Sequence, residues 1–502
     1  MIEKKSGGSD RIPTGIPGLD DVLKGGVFEG GIYIVQGAPG AGKTIFGNQI
    51  CFNQAARGAR ALYVTLLAEN HSRMLAHMRR LEFYKEDLIP DHLSFVGAFQ
   101  ILEEEGLKGL LDLVRREVRA RKAQFLVLDG LITVHEKASS DLELKKFIHE
   151  LQTQAVFSGC TMFLLTSAFD ASQNFPPEHT MVDGLIELQT RLHGRRAERQ
   201  LQIHKLRGGG YLGGCHSFRI DDRGLVIFPR IEALLAQPTQ PDRADGASIS
   251  TGNAVLDGLL GGGLDRHSVS VVLGPAGSGK TTLGLEFLSA LAENERGLLF
   301  GFYENSAALR LKARALNLPF CSLDERGRMD VIWRPATEAR IDEIGLELLD
   351  AVKTGGIKRL FLDGVDAFRR LTDETDRVGA FLAALCNELR ANGVTTLAAA
   401  ETSLTGALPW LTFDSHTPTG LSPVAENIVL LRQVVFHSET HRLLTVLKAR
   451  DRRIDMRVHR FEFGEGGVRI DPEHKSAEEI LRDMSNSFVR GSIGRPGNDT
   501  DY

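Results

Sequence analysis

Gly37-Ala38-Pro39-Gly40-Ala41-Gly42-Lys43-Thr44 returns later in the chain as Gly274-Pro275-Ala276-Gly277-Ser278-Gly279-Lys280-Thr281. Both stretches fit G-x-x-x-x-G-K-[ST]. Each follows a short apolar run, Gly31 to Gln36 and Ser270 to Leu273, and each opens a helical pattern. That strand–loop–helix setting reads as a phosphate-binding loop. The glycines let backbone N–H groups curl around phosphate oxygens, and the helix N-terminus adds its positive dipole end. Lys43 and Lys280 reach the β- and γ-phosphates, while Thr44 and Thr281 can hold Mg²⁺. Thr282 extends the second binding segment. Two copies in context imply two sites for ATP with Mg²⁺.

The repeat extends beyond the loops. Thr14-Gly15, Leu19-Asp20, Leu23 and Gly25-Gly26 recur as Thr251-Gly252, Leu256-Asp257, Leu260 and Gly262-Gly263. The spacing from Asp20 to Asp257 equals that from Lys43 to Lys280, 237 residues. A constant offset marks a duplication. Each half then alternates apolar strands with amphipathic helices. The first has helices over 44–57, 106–122 and 142–157, and strands at 61–67, 125–128 and 161–166. The second has helices over 281–295, 344–353 and 378–391, and strands at 298–303, 359–362 and 394–400. This order predicts α/β architecture: two tandem RecA-like P-loop domains, each a mostly parallel twisted sheet covered by helices on both faces. The expected boundaries are 1–235 and 247–474. A Pro-containing linker (236–246) joins them, and the C-terminal tail (475–502) carries a short helix at 477–484 before turning polar and flexible from 485.

Composition narrows the class. The 502 residues exceed one compact core, and 42% hydrophobic with 25% charged residues is ordinary for a globular protein. A net charge of −5 offers no global basic field, which argues against nucleic acid as a partner. The five cysteines are scattered without C-x-x-C, so neither a disulfide framework nor a zinc site is expected and a reducing cytoplasm fits. No apolar run is long enough for a membrane span.

Three further elements repeat. Asp129 and Asp363 each end a buried apolar strand, as an acid in the Mg²⁺ shell would; the alternative is an Asp capping the next turn. Ala68-Glu69-Asn70 and Tyr303-Glu304-Asn305 follow the strand after the first helix. Glu69 and Glu304 are candidate bases for the attacking water, with a helix-capping pair as the alternative. Lys205-Leu206-Arg207 and Lys448-Ala449-Arg450 come late in each half. They read either as basic turns or as cations reaching a neighbouring subunit's ATP.

The opening Thr-Gly…Leu-Asp…Leu-x-Gly-Gly signature, the tandem P-loops and the late Lys-x-Arg together resemble the KaiC family of circadian clock ATPases over about residues 11–470. The resemblance implies a homohexameric double ring in which ATP lies between subunits and Lys205, Arg207, Lys448 and Arg450 act in trans. It also implies an ATPase first lobe and an autokinase and autophosphatase second lobe, hence a signalling switch. The family pattern places two adjacent glutamates after the second core strand. Here the second lobe keeps the first, Glu304, and the first lobe reads Leu67-Ala68-Glu69-Asn70. The family's adjacent Ser and Thr acceptors fall on Pro418 and Thr419, leaving Thr419, then Thr417, as phosphorylation candidates. The competing readings are a RecA- or RadA-like DNA-dependent ATPase and an ATP-locked scaffold with negligible turnover.

Overall fold

In the computed structural model the described residues are 11–66, 71–167, 177–193, 196–240, 246–402, 421, 423–436, 439–450 and 452–482. Two compact units meet in sequence between Leu234 and Leu235.

The first unit holds strand β1 (Ile32–Gly37), helix α1 (Lys43–Ala56), β2 (Ala61–Thr65), α2 (His71–Met78) and β3 (Leu93–Gly97). Then come α3 (Phe99–Arg121), β4 (Phe125–Asp129), α4 (Asp141–Ser158), β5 (Thr161–Ser167), β6 (Gly184–His193), β7 (Arg196–Leu206), β8 (Cys215–Asp221) and β9 (Gly224–Phe228). One nine-stranded sheet runs in the order β9-β8-β7-β6-β1-β5-β4-β2-β3. Neighbours from β3 to β6 are parallel, and β6 to β9 form an antiparallel meander.

The second unit repeats this with β10 (Val269–Gly274), α5 (Lys280–Ser289), β11 (Gly297–Gly301), α6 (Ser306–Ala315) and β12 (Met329–Trp333). It continues through α7 (Ile341–Gly355), β13 (Arg359–Asp363), α8 (Val378–Ala391), β14 (Thr395–Glu401), β15 (Asn427–Phe436), β16 (Glu439–Ala449), β17 (His459–Gly464) and β18 (Gly467–Ile470). Its order, β12-β11-β13-β14-β10-β15-β16-β17-β18, matches the first strand for strand.

The period-2 geometry of a strand explains why the core strands are apolar throughout. On β1, Tyr33 and Val35 pack with Phe46 and Ile50 of α1 and with Phe163. Ile32 and Ile34 face the other way, against Met162, Leu164 and the α3 and α4 side chains Val114 and Ile148. In the second unit Phe300, Phe302, Phe368 and Phe381 form a chain of ring contacts, with centroids 5.1–5.9 Å apart.

Several boundaries differ from the sequence expectation. Helix α3 starts at Phe99 and runs through Gly106, whose φ of 65° interrupts it. A glycine that breaks helical dihedrals hides the first turn from a periodicity reading. Helix α5 ends at Ser289, short of the expected Glu295. The edge strands β3, β9, β12 and β18 are new. Residue Thr239, placed in the linker, is anchored: its N–H and hydroxyl donate to Glu388 of α8 at 2.9 and 2.6 Å. Residues 475–482 are helical, with Ala477 buried against Val434 and Leu443.

Each P-loop helix is tied to the last hairpin of its own sheet, but by different chemistry. In the first unit Gln49 accepts from the Leu225 N–H at 2.8 Å and donates to the Arg223 and Leu225 carbonyls. In the second, Glu286 accepts from the Val468 N–H and from Asn253 Nδ2. Glu286 is 3% exposed, and burial pushes its carboxyl up to about 7 against the pull of those two hydrogen bonds.

Candidate nucleotide site

Strand β1 and strand β10 lie inside their sheets with parallel neighbours on both sides, and each ends at a P-loop. Ligands of open α/β sheets sit at that C-terminal edge. The loop closes through Gly42 and Gly279, which precede α1 and α5 with φ of 108° and 111°. Neither helix has a side-chain cap on its first turn. First-turn N–H groups therefore face the loop, which is the donor set a phosphate requires.

Lys43 Nζ donates to the Gly37 and Ala38 carbonyls at 2.7 and 3.0 Å. Lys280 Nζ does the same to Gly274 and Pro275, both at 2.8 Å. Burial lowers the pKa of both ammonium groups. Thr44 Oγ1 donates to Asp129 at 3.1 Å, and Thr281 Oγ1 to Asp363 at 3.0 Å. The structure thus brings together each loop Lys, its Thr and the strand-end Asp, in both lobes. A hard hydroxyl–carboxylate pair beside a phosphate cradle fits Mg²⁺, which takes one or two protein oxygens alongside substrate phosphates.

The lobes differ around that shared frame. Asp129 also accepts from Tyr63 OH at 2.6 Å. Tyr63 lies two residues before Thr65, the β2 residue that pairs with Asp129; the matching place in β11 is Leu299. Asp363 is 8% exposed, and burial raises its carboxyl to about 6, with Glu304 adding to the rise and Thr281 and Lys280 opposing it. Near Lys280 stand Glu401 and Asp366, whose charges oppose its pKa drop. Asp366 accepts from Tyr303 OH at 2.5 Å and from the Glu401 N–H at 3.2 Å. Ser167 fills the Glu401 place in the first lobe. Sequence reading missed Tyr63, Asp366 and Glu401, because only the strand register shows which residues end beside the P-loop.

The second loop also has an aromatic neighbour. A side chain at Gly279 would meet the Phe463 ring at 2.8 Å, so glycine is required there. Arg442 lies 4.7 Å above that ring, and Gln433 Nε2 donates to the Gly277 carbonyl at 2.9 Å. Thr440, Arg442, Phe461 and Phe463 line a gap of about 330 Å³ at the end of the β16–β17 ladder, whose last pair is Arg442 with Phe461. In the first lobe Ile220 holds the place of Phe463, beside Gly42.

Glu304 sits where strand β11 gives way to α6, and its two oxygens lie 2.6 and 2.8 Å from Lys312 Nζ. Asn305 caps α6, accepting from the Ala308 N–H at 2.9 Å. The capping role considered for this pair thus belongs to Asn305, while Glu304 is left to the ion pair. Glu69 and Asn70 lie outside the described residues, as do Thr417 and Thr419. Helices α2 and α6 share one burial pattern, with Met74 and Met78 matching Leu309 and Ala313. Counting back from the helices aligns Glu69 with Glu304. Counting forward from Thr65 and Gly301 aligns Ala68 with it. The first-lobe connection is one residue longer.

The Lys-x-Arg elements stand at the opposite end of the sheet from their own P-loops. Lys205 pairs with Leu185, which pairs with Ile34, three residues before Gly37. Lys448 pairs with Ile428 beside Val271, three before Gly274. That is about 10 Å of strand, running away from the loop. Lys205 and Arg207 donate to the His179, Thr180 and Met181 carbonyls at 2.6–3.1 Å. Lys448 donates to Ala425 at 2.7 Å and Arg450 to Pro423 at 3.1 Å. Among the described residues no cluster has the make-up of a dedicated metal-binding centre, and no helix is long and apolar enough to cross a membrane.

The KaiC ATPase family model matches residues 12–232 and again 249–475. The circadian clock protein KaiC3 of Synechocystis is 25% identical over 494 residues, covering 96% of this chain and 95% of that one. The circadian clock oscillator protein KaiC of Thermostichus vulcanus is 26% identical over 510 residues, covering 95% and 92%. With the tandem sheets and both P-loop sites in place, the chain belongs to the KaiC family of ATPases.

Proposed function

We propose that the protein hydrolyses ATP at both P-loops within a homohexameric double ring, each site being completed by the adjacent subunit. The observation that carries this is the placement of Lys205, Arg207, Lys448 and Arg450 at the far end of their own sheets. Cations so placed cannot serve the P-loop of their own lobe, yet they form a repeated pair in both. A neighbouring copy's γ-phosphate gives them a target.

Within one site, the first-turn amides and Lys43 or Lys280 offset phosphate charge. Thr44 with Asp129, and Thr281 with Asp363, hold Mg²⁺, which supplies Lewis-acid neutralisation of the transferring phosphoryl group. Glu304 takes the proton from the attacking water in the second lobe, and Glu69 has that task in the first. The nucleotide base of the second site rests against Phe463. The role of such turnover is a nucleotide-dependent signalling switch, and Thr419 or Thr417 is the acceptor if the second lobe phosphorylates itself.

Mixed rings test the trans arrangement. Arg207→Ala should slow first-lobe phosphate release by about 10³-fold or more. Adding Lys43→Ala subunits, which bring an intact Arg207, should restore part of it. Mixed hexamers confirmed by native mass spectrometry but showing no recovery would refute the reading.

A further inference from the structure

We infer that Lys312 is a brake on the second lobe: it holds both oxygens of Glu304 and keeps that carboxylate from base duty until it lets go. The inference rests on the reading of Glu304 as the base.

The geometry is specific. Lys312 Nζ lies 2.6 and 2.8 Å from the two carboxylate oxygens of Glu304, so neither oxygen is left without the cation. A general base must present a free lone pair within hydrogen-bond reach of the water it deprotonates. A carboxylate held by one ammonium on both oxygens is turned toward that lysine and must leave it before it can meet a water. That helix is itself fixed. Asn305 caps its first turn, and Leu309 and Ala313 are buried at 1% and 0% exposure. Lys312 therefore reaches back to Glu304 from an anchored stem.

The pair is also placed to matter. Glu304 follows by three residues Gly301, the strand residue that pairs with Asp363, so the ion pair stands at the sheet edge that carries the Thr281–Asp363 centre. Both side chains keep about a third of their surface in solvent, at 31% and 35%. Ion pairs this open to solvent are weak, so the brake is one that thermal motion can open. Helix α2 carries His77 at the position matching Lys312. A histidine there lacks the fixed charge of a lysine.

The test uses the full chain. Phosphate release is measured against ATP concentration for the native protein, Lys312→Met, Lys312→Arg, Glu304→Gln and the Lys312→Met/Glu304→Gln double variant. Each rate is corrected by subtracting that of the same variant carrying Lys280→Ala, which isolates the second lobe. Lys312→Met should raise second-lobe kcat about three- to fivefold at constant KM. Lys312→Arg, which keeps a bidentate cation, should stay at the native rate. In the Glu304→Gln background Lys312→Met should change nothing. A Lys312→Met rate at or below native, or a gain that persists without Glu304, overturns the brake. If Glu304→Gln alone leaves the second-lobe rate intact, the base assignment falls, and the brake with it. If it lowers the rate while Lys312→Met does not raise it, only the brake falls.

Discussion

Replacing Glu286 by glutamine should stabilise the second lobe at alkaline pH and flatten its pH dependence. Glu286 lies on the P-loop helix, 3% exposed, with its carboxyl pushed from 4.5 up to about 7 chiefly by burial. The sign follows from proton binding. Between pH 4.5 and 7 the unfolded chain has released this proton and the folded lobe has kept it. Folded protein binds more protons there, so stability falls as pH rises through that window. Below pH 4.5 the cost is absent; above pH 7 it is fully present. A rise of about 2.5 pH units corresponds to about 3 kcal/mol. Glutamine has no proton to lose. It can still accept from the Val468 N–H, as Gln49 does from Leu225 in the first lobe. It loses the carboxylate acceptor for Asn253, which costs about 1 kcal/mol. The net gain at pH 8 is therefore about 2 kcal/mol, with a small loss near pH 4.5.

Hydrogen exchange resolves this within the intact chain, where one unfolding midpoint would mix two lobes. Opening free energies of the α5 and β18 amides, corrected for intrinsic exchange, should fall between pH 5 and 8 in the native protein and stay level in Glu286→Gln. The reciprocal Gln49→Glu should install the fall in α1 and β9. Equal slopes in native and Glu286→Gln protein would refute the argument, because the buried carboxyl would then not be the titrating group.

The other expectations concern the sites. Lys43→Ala and Lys280→Ala should each remove one class of bound ATP in equilibrium dialysis, halving stoichiometry; unchanged stoichiometry in either removes that loop from the assignment. Tyr63→Phe should weaken first-lobe Mg²⁺-dependent binding by a few-fold, since Asp129 loses a donor worth about 1 kcal/mol, and should leave the second lobe alone. Phe463→Ala should weaken second-lobe nucleotide binding about tenfold by removing the aromatic face beside Gly279, read by titration in a Lys43→Ala background. An affinity unchanged by that substitution would move the base elsewhere.

Much of this was legible in the sequence because duplication supplies its own control. A lone G-x-x-x-x-G-K-T or a lone strand-end Asp is a weak signal. Lys43 with Thr44 and Asp129, repeated as Lys280 with Thr281 and Asp363, point to the sheet's direction and to a candidate site in each lobe, and each trio lies together in the fold. What escaped was whatever depends on register. Glu401 and Ser167 hold one position, yet nothing in their local sequence says so until each is paired with Gly274 or Gly37. The Phe463 ring is 184 residues from the Gly279 it covers, and only the antiparallel meander brings them together. Helix α3 was shortened by Gly106, because the periodicity breaks where its backbone does.

The same comparison bears on how two lobes from one ancestor come to differ. Their loops, Thr–Asp pairs and strand order coincide, so the phosphate-binding frame is common to both. The differences sit around it, and all but one change charge or polarity. Gln49 stands opposite Glu286, Leu299 opposite Tyr63, Ile220 opposite Phe463, Ser167 opposite Glu401 and His77 opposite Lys312. At these positions the first lobe carries no carboxylate and no lysine, and it gives its Asp an extra hydroxyl. The second adds carboxylates near Lys280 and a lysine on Glu304. A frame that binds the same ligand twice, in two different fields, implies different affinity, pH response and turnover for each site. Exchanging these residues in pairs between lobes, starting with Gln49 and Glu286, should carry the lobe-specific behaviour with the side chains and not with the position in the chain.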